Sequence, residues 1–245
     1  MGADKKSGFR RGISTARRWF RRQAHPVGGI RFGHLRRIHP ISDNWGFDRG
    51  LPIDRYYIES FLKTHAADIH GRTLEIANNT YTRRFGGDRV RRSDVLHDKP
   101  GSPVATLVAD LAEGGDLPGD AFDCVICTQT LHLIFDLQAT IATLHRILKP
   151  GGALLATMPG ISQVSPQDMT RTGDYWRVTT AAAGKLFGKL FDEAQLEIST
   201  CGNVLAAVSF LHGIASQELT GAELDHVDEN YQVLITVRAI KGTGP

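Results

Sequence analysis

Phe122-Asp-Cys-Val-Ile-Cys-Thr128, continuing as Gln129-Thr-Leu-His132 and followed by Leu144-His-Arg-Ile-Leu-Lys-Pro-Gly-Gly-Ala-Leu-Leu-Ala-Thr157, is the stretch that decides the fold of this 245-residue chain. A short apolar run opened by Asp123 and closed by polar residues reads as a strand buried on both faces. Leu131 to Leu148 then carries apolar residues at helical spacing, enough for one or two helices. Lys149-Pro-Gly-Gly152 stops that helix and turns the chain, because proline lacks an N–H and glycine accepts turn geometry. Ala153 to Met158 is a second buried strand. Cys124 and Cys127 form C-x-x-C, but on a strand residues i and i+3 face opposite sides, so they read as buried structural cysteines and not as metal ligands.

The same alternation extends in both directions. Upstream lie short strands at Thr73–Ile76, Arg89–Leu96 and Ala105–Ala109, preceded by a helix over Ile53–Ala66 with Asp54 in its first turn. Downstream come a helix over Thr180–Ala194, a strand over Leu196–Thr200, an apolar helical insert over Val204–Gln217 and a strand over Gln232–Ile240. Strands alternating with helices predict an α/β protein with a doubly wound, mainly parallel sheet covered on both faces.

Composition sets the outer limits. With 41% hydrophobic and 22% charged residues the chain is neither collagen-like nor disordered nor a disulfide scaffold. The net charge of +3 conceals an asymmetry: residues 1–40 hold eleven Lys/Arg against the single acid Asp4, leaving +10 there and −7 on residues 41–245. This predicts a basic N-terminal arm, disordered or amphipathic, on an acidic domain. Ile13, Trp19 and Phe20 among the arginines fit an anionic partner or membrane surface as well as a solubilising tail. Nucleic acid fits less well, because the acidic body opposes a polyanion. No run approaches a membrane span, no apolar segment follows the basic start as in a secretory signal, and three cysteines suit a reducing compartment, so the expected location is cytoplasmic.

In open α/β sheets ligands bind beyond the carboxyl ends of the strands, near the switch in strand order. The candidates are therefore Glu75, Ile76, Ala77, Asn78 and Asn79 at the first strand, Asp94 in the second, Asp110 and Leu111 after the third, and Thr128, Gln129 and His132 after the fourth. Carboxylates on successive strand ends suit a ligand with ribose hydroxyls, an adenine amino group and a cationic centre.

The quoted stretch, with its Phe-Asp strand opening and its Leu-Lys-Pro-Gly-Gly turn, resembles a class I S-adenosylmethionine (SAM) methyltransferase of the type 11-like group. Gly173-Asp-Tyr-Trp-Arg177-Val-Thr resembles a segment of relatives linked to sugar and glycan metabolism. The resemblance covers roughly residues 50–240. It implies a seven-stranded Rossmann-like sheet with an antiparallel last strand, SAM as cofactor and a small-molecule acceptor; no metal is expected, because the sequence has no H-x-x-x-H and no paired C-x-x-C. It further implies that Glu75 orients the first loop, Asp94 binds ribose, Asp110 lies on the adenine side, and Tyr56 or Tyr57 closes a lid. His132 is then the candidate base, with Tyr175 and Arg177 facing the acceptor, Arg177 holding a carboxylate or phosphate. Each has a plainer alternative: a cap or turn for the acids, a packed core residue for His132, a packed aromatic and a surface arginine for Tyr175 and Arg177.

One departure stands out. The family's first loop is glycine-rich, whereas Glu75-Ile-Ala-Asn-Asn-Thr-Tyr-Thr82 contains no glycine. Asn tolerates the left-handed region best among non-glycine residues, which makes Asn78 and Asn79 the expected substitutes. A non-catalytic methyltransferase-fold partner protein is the alternative this loop raises, and a nucleic-acid methyltransferase using the arm is a third.

Overall fold

The computed structural model describes residues 27–243. They divide into two units, one ending at His39 and the other beginning at Pro40. In the first, Gly33–Leu35 forms a single 3-10 turn. The amphipathic pattern expected over residues 9–24 lies outside the described residues. Among the described residues no helix is long and apolar enough to cross a membrane.

The second unit is built on a seven-stranded sheet. In chain order its main elements are α1 (Ile53–Thr64), β1 (Gly71–Ile76), β2 (Val90–His97), β3 (Leu107–Val108), β4 (Phe122–Thr128), α2 (Leu137–Ile147), β5 (Leu148–Pro159), α3 (Pro166–Arg171), α4 (Thr180–Phe187), β6 (Leu196–Cys201), α5 (Val204–Leu211), α6 (Gly221–Asp225) and β7 (Leu234–Ile240). The strand order is β3-β2-β1-β4-β5-β7-β6. β1 pairs in parallel with both β2 and β4, β4 pairs in parallel with β5, and β7 runs antiparallel to β5 and β6. This is the doubly wound, mainly parallel architecture expected from the sequence, with the switch in strand order between β1 and β4.

Both faces of the sheet are covered, and β4 shows how. Cys124 and Ile126 pack with Ile53, Ile58 and Leu62 of α1 and Phe210 of α5. Val125 and Cys127, on the other face, pack with Ile141 and Leu144 of α2 and Phe187 of α4. All four β4 side chains are fully buried, so the two cysteines of C-x-x-C sit in separate cores on opposite faces.

Several elements are shorter or longer than their sequence pattern suggests, for local reasons. The helix expected over residues 180–194 stops at Phe187 because Gly188 caps it, its N–H bonding Gly184 O. The insert expected to be helical over residues 204–217 ends at Leu211, two residues before Gly213 at φ 65°. β5 begins at Leu148, not at Ala153. Its first residue already pairs with Phe122, and the register shifts between Phe122 and Cys124. β3 keeps only two residues paired with β2.

The buried charge in the sheet is local in origin. Asp94 lies in the body of β2 opposite Leu74, almost fully buried. Its carboxylate accepts from Arg72 Nε at 2.7 Å, from Arg92 and from Thr106 Oγ1 at 3.1 Å. Burial works to raise this carboxyl, but the hydrogen bonds from Arg72 and Arg92 outweigh it and hold it below the usual range. Removing one partner of such a buried pair leaves the rest uncompensated. Asp94→Ala should therefore cost about 2–3 kcal/mol in urea denaturation, discounted from the fully buried case because the arginines are partly solvated. The folded variant should keep its affinity for any ligand at the strand ends; a loss of binding without a loss of stability would refute the structural assignment.

Candidate active site at the carboxyl ends of β1 and β4

The chain leaves β1 at Ile76 and β4 at Thr128, and both exits are strained. Ala77 adopts φ 70° and Gln129 φ 46°. For a residue with a side chain the left-handed region costs roughly 1–2 kcal/mol, and such strain persists where surrounding contacts enforce it. Ala77 is fixed from both sides: its N–H donates to Leu96 O at 2.9 Å, and its carbonyl meets His97 Nε2 at 2.7 Å. Gln129 N–H donates to Thr157 O at 3.1 Å, which ties the end of β4 to β5.

The glycine-free loop after β1 is organised by Glu75. Its carboxylate, 3% exposed, accepts from Tyr81 N–H at 3.2 Å and Thr82 N–H at 2.7 Å. Burial pushes this carboxyl up, with the two backbone hydrogen bonds opposing. Those bonds begin a short helical stretch that continues as a π-helical turn over Thr82–Gly86. Contrary to expectation, the asparagines do not take the left-handed position. Asn78 Oδ1 accepts from Thr80 N–H at 2.9 Å in a local turn, Asn79 Nδ2 donates to Ser93 Oγ at 3.2 Å, and Ala77 takes the positive φ.

A cavity of about 190 Å³ opens beside the end of β4, lined among others by Asp54, Arg55, Gln129, His132, Asp174 and Arg177. Asp54 stands on the first turn of α1, 8% exposed. Its carboxylate accepts from Arg55 N–H at 2.8 Å and from Gln129 Nε2 at 3.3 Å. Burial raises the Asp54 carboxyl above its usual range, against the pull of Arg55 and these hydrogen bonds. His132 lies in the 3-10 turn Leu131–Leu133, 9% exposed. Burial lowers its imidazole to about 4, the nearby Asp174 and Asp168 opposing. It is therefore neutral at pH 7. Trp45, at φ 52°, also lines this cavity. Its loop is seated by Gly46, where an added Cβ would lie 2.9 Å from Gly213 O.

The remaining expected residues divide. Arg177 lines the cavity, but its guanidinium is already committed: it bonds both oxygens of Asp174, at 2.6 Å and 2.9 Å, and the carbonyls of Ser162, Gln163 and Trp176. Five donors meet five acceptors, so the expectation that Arg177 holds a substrate anion is corrected: it clamps the cavity wall. Tyr175 is half exposed and is not a lining residue; its hydroxyl bonds Thr172 O and its ring meets Phe135 edge-on. The backbone N–H groups of Tyr175 and Trp176 donate to His132 O, so this segment positions the histidine.

Tyr56 and Tyr57 point away from the strand ends, bonding Asp225 Oδ1 and Leu224 O and lining a second cavity of about 250 Å³. The cleft side of α1 is carried by Asp54 and Arg55 instead. Asp94 is corrected likewise, since mid-strand pairing with arginines removes it from the strand end. The residue ending β2 there is His97, and Asp98 follows it. Asp110 Oδ1 caps Ala112 N–H at 2.7 Å from an exposed position, and Leu111 is a core residue able to offer only its backbone. Thr128 accepts from Thr130 Oγ1 through its carbonyl. Asp54 was legible as more than a helix-dipole acid: it falls among the buried positions 53, 54, 57, 58 and 62 of α1.

Residues 53–156 match the family model described as a methyltransferase domain. No curated protein matches the chain. Among solved structures it is similar to a SAM-dependent methyltransferase from Archaeoglobus fulgidus, at 14% identity and TM-score 0.51, covering 76% of this chain and 94% of that one. It is also similar to the N-methyltransferase NodS from Bradyrhizobium japonicum in complex with S-adenosyl-L-homocysteine, at 15% identity and TM-score 0.51, covering 82% and 93%. Phosphoethanolamine N-methyltransferase 2 from Haemonchus contortus gives 15% identity and TM-score 0.47, and this chain spans only 57% of its length. Residues 53–156 thus match a methyltransferase-domain model, and the strand order gives the Rossmann-like fold shared with these methyltransferase structures.

The histidine supplies a direct check on the electrostatics. Because the folded state binds the His132 proton only near pH 4 while the unfolded chain binds it near 6.5, stability rises with pH across that window. The contribution amounts to about 3 kcal/mol between those limits. His132→Gln should abolish this part of the pH dependence in denaturation curves at pH 4.5 and pH 7. An identical acid slope in the variant would contradict it.

Proposed function

We propose that this domain transfers a methyl group from SAM to a small-molecule acceptor held in the cavity beside β4. The observation that carries the reading is the strained pair of exits, Ala77 and Gln129, at the switch between β1 and β4, since open α/β sheets bind ligands at that point. The residues fit the cofactor. Ala77 already holds the left-handed backbone that a glycine would supply, adding only a methyl group. Glu75 shapes the loop that would face the cofactor's amino-acid end. Asp98, beyond β2, replaces Asp94 as the acid for the ribose side, and Asp110 keeps a second carboxylate oxygen for the adenine side.

SAM supplies an electrophilic methyl carbon, so the protein's part is alignment of the acceptor, which accounts for much of the rate in such displacements. His132, neutral at pH 7, is available as a hydrogen-bonding partner for the acceptor, and the N–H groups of Tyr175 and Trp176 hold it through its carbonyl. An acceptor drawn from sugar or glycan metabolism follows from the Gly173–Arg177 resemblance. The +10 segment of residues 1–40 is assigned to an anionic surface: deleting it should abolish salt-sensitive binding to phosphatidylserine vesicles, and unchanged binding would remove that role.

The absence of glycine from the loop favours a second reading, a non-catalytic partner protein of the same fold. Titration calorimetry with SAM and S-adenosylhomocysteine separates the two. The first reading expects binding of both, tightened threefold or more by Ala77→Gly, which also stabilises the fold by about 0.5–1 kcal/mol once unfolded-state entropy offsets part of the relieved strain. No heat from either ligand, with the stability gain intact, would decide for the second.

A further inference from the structure

Among the described residues, five buried side-chain polar atoms lack a hydrogen-bond partner, and three of them, Gln129 Oε1, His132 Nδ1 and Gln163 Oε1, belong to residues lining the cavity beside β4. Such atoms are costly to bury unpaired, by roughly 1–3 kcal/mol each, and their concentration in one cavity marks a place where a ligand completes the bonding. The orientation of Gln129 is set by its neighbour: its Nε2 donates to Asp54 Oδ2, which turns Oε1 free as an acceptor. Asp54 adds a carboxylate less than one-tenth exposed, with lone pairs left over after its bonds to Arg55 N–H and Gln129.

The cationic side chains around the cavity do not offset this. Arg177 has all its donors bound by Asp174 and three carbonyls, and the pull of Arg55, the other arginine on the lining, on Asp54 is outweighed by the burial of that carboxylate. The wall therefore presents acceptors and a buried carboxylate to whatever enters. An ammonium group has three donors and no acceptor, and its charge offsets the desolvation that now raises the Asp54 carboxyl. A carboxylate or phosphate would face Asp54 with like charge, and a neutral alcohol would leave the charge uncompensated.

We infer that the cavity beside β4 binds the ammonium group of an amine, held by the Asp54 carboxylate and Gln129 Oε1 with His132 alongside. This rests on the methyl-transfer reading only for its meaning, by making the acceptor an amine whose ammonium passes a proton to the Asp54 carboxylate before the freed nitrogen lone pair takes the methyl group; the binding itself does not require a cofactor.

The test uses three probes of equal shape, cyclohexylamine, cyclohexanol and cyclohexanecarboxylate, titrated into the full chain by ligand-observed NMR at pH 7. Cyclohexylamine should bind at least tenfold more tightly than either of the others. Asp54→Asn and Gln129→Met should each weaken it tenfold or more while keeping the wild-type circular dichroism. Should Asp54→Asn fail to fold, Gln129→Met and the three-probe comparison on the wild type still decide. Equal or tighter binding of the carboxylate or alcohol, no binding of any probe at 100 mM concentration, or folded variants that bind unchanged would overturn the inference. S-adenosylhomocysteine is titrated in parallel. Amine binding without it would sink the methyl-transfer reading and leave this one, and the reverse result would do the opposite.

Discussion

The parallel pairing of β1 with β4, register Thr73 with Cys124 through Glu75 with Ile126, is the constraint from which the rest of the site follows. β2 and β3 extend the sheet on one side of this pair and β5, β7 and β6 on the other. The chain therefore leaves β1 and β4 in opposite directions, and no connection fills the space above their carboxyl ends. Ala77 and Gln129, the first residues past each strand, must turn sharply at once, and both do so at positive φ without being glycine. The crevice is a consequence of topology; its chemistry is set by what α1 and the segment after β5 bring over it.

Two sets of residues act at that crevice in different ways. Glu75 and His97 act on backbone, one through the N–H groups of Tyr81 and Thr82 and the other through Ala77 O. Asp54, Gln129 and His132 are turned into the adjoining cavity, and Asp174 with Arg177 holds its outer wall. The loop's rigidity thus comes from side-chain hydrogen bonds where the glycine-rich version relies on close backbone approach. That exchange has a physical price in strain at Ala77, and it explains how a loop without glycine keeps the turn.

Much of the fold was legible in the sequence. The apolar runs at Phe122–Thr128 and Ala153–Met158, the Lys149–Gly152 turn and the alternating rhythm led to a doubly wound sheet, because period and turn chemistry are local properties. The site was less legible. Asp94 resembled a strand-end acid by spacing, yet its destination depended on Arg72 and Arg92, which only the three-dimensional pairing brings to it. Arg177 lines the cavity, but its saturation by Asp174 and three carbonyls is a tertiary fact. The lid role expected of Tyr56 or Tyr57 goes unfilled by either, since both line the second cavity, whereas the buried stripe through Ile53, Tyr57, Ile58 and Leu62 contains Asp54 as its one charged member.

The carboxyl ends of β1 and β4 are proposed to form a cofactor crevice. Hydrogen–deuterium exchange with and without S-adenosylhomocysteine tests it most directly, since protection is read by segment. Slowed exchange is expected in residues 75–82, 97–98, 110–112 and 128–132, with the region around Tyr56, Glu197 and Asp225 unchanged. Protection confined to that second cavity, or none anywhere at saturating ligand, would contradict it.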